Sequence, residues 1–292
     1  MIDLFLDYLR YERNRSELTV VRYERSLKDF ESYFMRMDDG LTWATVDADV
    51  IRQWVETLMD KGDKATTVNA DLSAVRSFYR FALARKLVSR DPACHVSGPK
   101  KDKPLPQFVK ESEMDEIIDG REWTREFKDV RARTILILLY EAGLRRSELI
   151  ALDDGDIDLV RQQIRVTGKG RKQRVVPFGE ELRQAISDYI MVRNEQTERQ
   201  STALFVDEKG RRMTGGQLYW LVRKYLSEVT TLKKRSPHVL RHSFATAMLN
   251  HGAGLENVSQ LLGHESIETT EIYTHATFEQ LKRVYKEAHP RG

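Results

Sequence analysis

The stretch Ser97–Gln107, SGPKKDKPLPQ, decides how the rest of the chain is read. Its three prolines and one glycine argue against helix or central strand, and its four charges keep it in water. Leu105 is its only sizeable apolar side chain. The stretch predicts an extended, exposed linker with a separate core on either side. A length of 292 residues is enough for roughly two average domains.

On the N-terminal side the pattern is helical. Tyr23, Leu27, Phe30 and Phe34 recur at i, i+4, i+7 and i+11, the spacing of one helix face, and Val68, Leu72, Val75, Tyr79 and Ala82 continue the same rule. With Leu4–Tyr11 and Val50–Met59 this predicts about four helices, a small all-helical bundle, with Thr19 and Thr66 as expected caps.

On the C-terminal side the pattern is mixed. Arg131–Ala142 reads as a strongly apolar helix ended by Gly143, whose missing Cβ suits the left-handed C-terminal position. Gln163–Val166 and Arg174–Val176 are β-prone and flank Gly168-Lys169-Gly170-Arg171-Lys172, a hairpin with a basic tip. Leu182–Val192 and Gln217–Val229 read as amphipathic helices. Ser236-Pro237 opens another as cap and first-turn proline, Leu255–Leu262 is closed by Gly263, and Phe278–Ala288 is the last. The expected class is mainly α (α+β). Residues 1–98 form a helical domain, 99–107 the linker, and 108–292 a mixed α/β domain with a small antiparallel sheet.

Composition narrows the function classes. Hydrophobic residues are 40% and charged residues 32%, a soluble globular balance. No stretch approaches the ~18 uninterrupted apolar residues of a spanning helix. MIDLFLDYLRYER carries acids among its first apolar residues, unlike a signal peptide. The one cysteine, Cys94, excludes a disulfide framework within the chain and a Cys-rich zinc site, and a reducing cytosol is expected. The net charge is +3, with 18 Lys+Arg against 17 Asp+Glu in 1–103 and 30 against 28 in 104–292. Any nucleic-acid footprint must therefore come from clustering. Arg161, Arg165, Lys169, Arg171, Lys172 and Arg174 form such a cluster, followed by Lys209, Arg211, Arg212 and Lys233–Arg235; each can be a solvated edge or a phosphate contact.

The ends of the elements carry the chemistry. Arg145 follows Gly143-Leu144, Lys169 lies between two glycines, and His238 and Arg241 are three apart on one face of a helix start. His264 follows Leu262-Gly263, and Tyr273 lies nine residues further on. The simplest use of this set is attack on a phosphodiester. Two guanidiniums can grip the non-bridging oxygens and stabilise the charge of five-coordinate phosphorus. A tyrosine, with a reference pKa of ~10, needs a base or a positive field to become a nucleophile. The departing sugar oxygen needs a proton from a lysine or histidine. The set is complete without metal or cofactor. Singly, each residue has an ordinary explanation: a surface ion pair for Arg145, a turn lysine for Lys169, a dipole-complementing His264, a core aromatic for Tyr273. Jointly those explanations fail. His238 and His242 have zinc-pair spacing, but Val239 stands where a zinc hydrolase needs glutamate, and Asp153–Asp158 lacks the bidentate Glu of a calcium loop.

The combination resembles the tyrosine recombinases of the phage integrase family, most closely those of Xer type. The matching motifs are Gly143-Leu144-Arg145 with Ser147-Glu148-Leu149, Gly168-Lys169-Gly170, His238-x-x-Arg241-His242, Leu262-Gly263-His264 and Tyr273-Thr274-His275, in the family's order. The likeness covers nearly the whole chain, and five motifs in sequence are specific where one would be weak. It implies that Arg145 and Arg241 clamp the scissile phosphate, Lys169 is the general acid, His238 assists proton transfer, His264 bonds the phosphate and Tyr273 attacks. Glu148 supports the first arginine structurally.

The resemblance also implies a core-binding (SAM-like) N-terminal domain and a catalytic domain that together form a C-shaped clamp on duplex DNA. Strand exchange passes through a 3′-phosphotyrosyl intermediate and a four-way junction in a homo- or heterotetramer, with a septal DNA translocase as a further partner and the nucleoid of the cytoplasm as the location. The closing helix, with Phe278, Leu281, Val284 and Tyr285 on one side, docks on a neighbouring protomer in the family; packing on its own domain is the alternative. The role implied is resolution of chromosome dimers or a related integration or inversion event. A type IB topoisomerase-like relaxing enzyme and a non-catalytic DNA-binding accessory factor are the competing readings. A hydrolase acting on a small phosphate is more remote.

Overall fold

The structure is a computed structural model that describes residues 1–101, 107–168, 172–263 and 275–291, with the backbone alone over 275–280. The chain divides into two units, Met1–Pro104 and Leu105–Gly292.

In the first unit α1 (Ile2–Asp7) runs on through a wider π-helical turn, Tyr8–Glu12, and is followed by α2 (Glu17–Met37), α3 (Ala48–Asp60) and α4 (Ala65–Ala84). The apolar spacing works as its period requires: Leu27, Phe30 and Phe34 of α2 and Val68, Leu72, Val75, Tyr79 and Ala82 of α4 are all buried. Trp43, between α2 and α3, closes the core with ring centroids 5.3 Å from Phe34 and 4.3 Å from Phe78. Its indole N–H donates to Glu31 Oε1 at 2.7 Å, so the ring is buried without orphaning its polar atom. The expected caps are corrected. Ser16 caps α2 by accepting from the Thr19 N–H, and α4 begins after Lys64 without a side-chain cap. Thr19 and Thr66 already lie inside the first turns, where the backbone is helical.

The second unit contains α5 (Glu111–Ile118), α6 (Phe127–Ala142), α7 (Arg146–Ala151), the strands β1 (Ile157–Asp158), β2 (Gln163–Thr167) and β3 (Gln173–Pro177), then α8 (Glu180–Gln196), α9 (Gly215–Val229), α10 (Pro237–Asn250), α11 (Leu255–Leu262) and α12 (His275–Ala288). Helix α6 is buried on nearly every side, which explains why its sequence is apolar all round rather than striped. It begins four residues before the apolar run, at Phe127. The sheet is antiparallel in the order β1-β2-β3, with Ile164 opposite Val176 and Val166 opposite Arg174. The fold is mainly helical with a small antiparallel sheet, as the pattern of the sequence implies. Among the described residues no helix is long and apolar enough to cross a membrane.

Leu281, Tyr285 and Ala288 of α12 pack on Phe244 and Met248 of α10 and on Leu261 and Leu262 of α11. In the single chain the closing helix therefore rests on its own unit.

Candidate active site

Two helices of the second unit end on glycines in the left-handed conformation, Gly143 after α6 (φ 57°) and Gly263 after α11 (φ 66°). Each leaves its carbonyl turned out of the helix, and an arginine uses each one. Arg241, in the second turn of α10 and buried, donates from Nη1 to Gly143 O and from Nη2 to Leu262 O, both at 2.7 Å. Arg145, the residue preceding α7, donates from Nη2 to Gly263 O at 2.8 Å. Helix ends separated by more than a hundred residues of sequence thus orient two guanidiniums toward one place. Among the described residues each fork has only two of its five N–H donors engaged, so both can take up phosphate oxygens.

Glu148, in the first turn of α7, is the shared counter-ion. It accepts the Arg145 backbone N–H at 2.8 Å and Arg145 Nη1 at 2.7 Å, and lies 3.9 Å from Arg241 Nη1. Arg174 of β3 reaches it with both Nη atoms, one to each carboxylate oxygen at 2.9 Å, and donates from Nε to Leu261 O at 2.9 Å. Burial alone would raise the pKa of Glu148. The bonds and charge of Arg174, with the bonds from Arg145, overcome burial and bring it to about 2. Burial and repulsion from Arg145 lower Arg241 to about 10, which leaves it charged at neutral pH.

His238, in the first turn of α10, completes the described part of the site. Desolvation, then the charges of Arg241, Arg146, His242 and Arg145, hold its imidazole below the usual histidine range. It is therefore neutral near pH 7 and able to accept a proton. Arg145, His238 and Arg241 are brought together. Lys169, His264 and Tyr273 lie outside the described residues. The described neighbours of Lys169 and His264 do reach the cluster. A Cβ on Gly168 would stand 3.7 Å from Glu148 Oε1, and one on Gly263 would stand 3.1 Å from Arg174. The Gly168 N–H donates to Lys172 O at 2.8 Å and closes the base of the hairpin.

The basic clusters divide. Arg161 pairs with Asp158, Arg165 with Asp156, Arg211 with Asp207 and Arg212 with Asp153, so these are ion-paired edges. Asp154 is held by Arg193 and Arg199, and this pairing explains the acidic run Asp153–Asp158. Arg174 is the residue that sequence reasoning misplaced, because it is grouped there with exposed cations. Its signal was the strand period: it stands two residues before Val176 and shares that buried face.

Residues 107–280 match the phage integrase family, and residues 2–86 match the N-terminal SAM-like domain of phage integrases. The tyrosine recombinase XerC of Chlorobaculum parvum is 39% identical over 316 residues, covering 99% of this chain and 94% of that protein. The tyrosine recombinase XerD of Oceanobacillus iheyensis is 37% identical, covering 100% and 98%. In architecture the chain is similar to the XerH site-specific recombinase bound to palindromic difH substrate (TM-score 0.73, 22% identity, 97% of this chain and 83% of that one). It is also similar to the Tn1549 transposon integrase in complex with circular intermediate DNA (TM-score 0.71, 22% identity, 96% and 97%).

Proposed function

The chain belongs to the phage integrase family of tyrosine recombinases, enzymes of site-specific DNA recombination, and from that premise we propose how its own residues cut and rejoin a strand. Arg145 and Arg241 hold the two non-bridging oxygens of the scissile phosphate and stabilise the charge that grows as phosphorus becomes five-coordinate. Tyr273 attacks in line, and neutral His238 takes up its proton. His264 adds a hydrogen bond to the phosphate. Lys169 protonates the departing 5′-oxygen, so the products of cleavage are a 3′-phosphotyrosyl ester and a free 5′-hydroxyl. One phosphoester replaces another, and the 5′-hydroxyl of a partner strand reverses the step with no external energy source and no cofactor. Two such rounds in a homo- or heterotetramer pass through a four-way junction. Resolution of chromosome dimers in the cytoplasm, with a septal DNA translocase as partner, is the role this chemistry serves, and integration or inversion are its nearest relatives.

The observation that carries the proposal is the convergence of Arg145, at the start of α7, and Arg241, on α10, around one ionised carboxylate, with a neutral His238 one turn before Arg241 on the same helix. Full-length likeness to recombinases sets aside the topoisomerase-like and accessory-factor readings. A nicked suicide duplex carrying the target site tests the nucleophile. The natural protein traps a covalent adduct on denaturing gels, and Tyr273→Phe forms none. An adduct formed by the Phe variant overturns the assignment.

A further inference from the structure

Arg174 has no part in the mechanism above, yet among the described residues it is the best-anchored cation in the site. Its side chain is 8% exposed, and every bond it makes points inward, to Leu261 O and to both oxygens of Glu148. The contrast with the two clamp arginines is in the geometry. Arg174 grips Glu148 as a bidentate fork, Arg145 reaches it with one guanidinium bond, and Arg241 stays 3.9 Å away, outside hydrogen-bond distance.

The charges give that geometry a purpose. Among the described residues around Glu148, three guanidiniums and one carboxylate sum to two positive charges. A bound diester brings one negative charge and the five-coordinate state two, so the positive field of this cluster stabilises the transition state more than the ground state. Remove Arg174 and the balance falls to one. In a buried setting Glu148 would then draw Arg145 and Arg241 onto itself, in direct competition with the phosphate.

We propose that Arg174 is a positioning residue for strand cleavage: by occupying both oxygens of Glu148 it neutralises that carboxylate and leaves Arg145 and Arg241 charged and available to the phosphate. The inference rests on the proposed function above. It differs from a structural role, in which Arg174 would simply tie β3 to the end of α11 through Leu261.

The rate of adduct formation on the nicked duplex, at saturating DNA, separates the two. If Arg174 acts through charge, Arg174→Met slows cleavage by about 10²-fold in the natural background but by less than about threefold in a Glu148→Gln background, because no carboxylate is left to neutralise. Arg174→Lys, which keeps the charge and loses the fork, retains at least about a fifth of the rate. Equal losses from Arg174→Met in both backgrounds, or a lysine variant as slow as the methionine variant, overturn the inference in favour of a structural tie. Thermal melts accompany each variant. Should Arg174→Met fail to fold, Arg174→Lys and the comparison of Glu148→Gln with the double variant still decide. Absence of any adduct with the natural protein is a different result, since it removes the proposed function itself.

Discussion

Glu141 and Glu148 stand seven residues apart, on either side of the turn at Gly143, and both are buried, yet their surroundings drive them in opposite directions. Glu148 faces Arg145, Arg174 and Arg241 and is ionised, with a pKa of about 2. Glu141 accepts only neutral donors, the Gly179 N–H at 3.2 Å and the Tyr285 hydroxyl at 3.1 Å, and burial pushes it up to about 8. Among the described residues its second oxygen has no hydrogen-bond partner, which suits a protonated acid better than a buried anion.

Around Glu141 the C-terminal segment docks by neutral means. Tyr285 and His289 stack with centroids 5.0 Å apart, His289 Nε2 lies 3.3 Å from Tyr140 O, and burial lowers His289 to about 4. Charge returns only at the rim, where Arg291 meets Asp115, Asp119 and Glu181. The region proposed to bind phosphate is held together by ions. The region that must seat a helix is held by apolar contact and uncharged polar groups. Burial by itself sets neither outcome; the chemistry of the neighbours does.

That contrast can be broken experimentally. The largest effect is expected on the ionic side. Arg241→Lys cannot reach Gly143 O and Leu262 O together, and cleavage of a nicked site should fall by about 10²–10³-fold. A loss below about tenfold would mean that a single point charge is enough there.

On the neutral side Glu141 ties stability to pH. Its folded pKa of about 8 lies above the ordinary 4.5, so unfolding releases its proton throughout that interval, and its contribution to stability falls as pH rises from 4.5 to 8. Glu141→Gln should flatten this limb in urea titrations and be more stable than the natural chain at pH 8 by roughly 3 kcal/mol. His289 works in the other direction. Its folded pKa of about 4 lies below the ordinary 6.5, so its contribution is present above pH 6.5 and is lost as pH falls toward 4. A variant at Glu141 with an unchanged pH profile would place the carboxyl among the ionised groups and erase the contrast. The smallest effect belongs to Tyr285→Phe, which removes one of Glu141's two bonds and should cost about 1 kcal/mol at pH 7 in the same titration, with cleavage chemistry intact.

Much of this was legible in the sequence. The apolar spacing of α2 and α4 named the buried residues Leu27, Phe30, Val68 and Val75, and Gly143, Gly263, Ser236 and Pro237 marked helix ends, because left-handed glycine and a locked proline φ act within one turn of the chain. Glu148 was read correctly as a support for Arg145. The cap of α2 was missed by one turn, since Ser16 and Thr19 both carry a hydroxyl and only the backbone's entry angle picks between them. Arg174 was missed because Val175 and Val176 are both apolar, which leaves the inward face of β3 ambiguous until the strand pairs with β2.

By itself the sequence determined the elements, their buried faces and the family motifs, all of which are carried by residues within a few positions of one another. Tertiary structure alone decided the electrostatics. Arg145 meets the carbonyl of Gly263 across 118 residues, and Glu148 meets Arg174 across 26. The field at a carboxyl is the sum over groups that folding brings within a few ångströms, and no local pattern contains that sum.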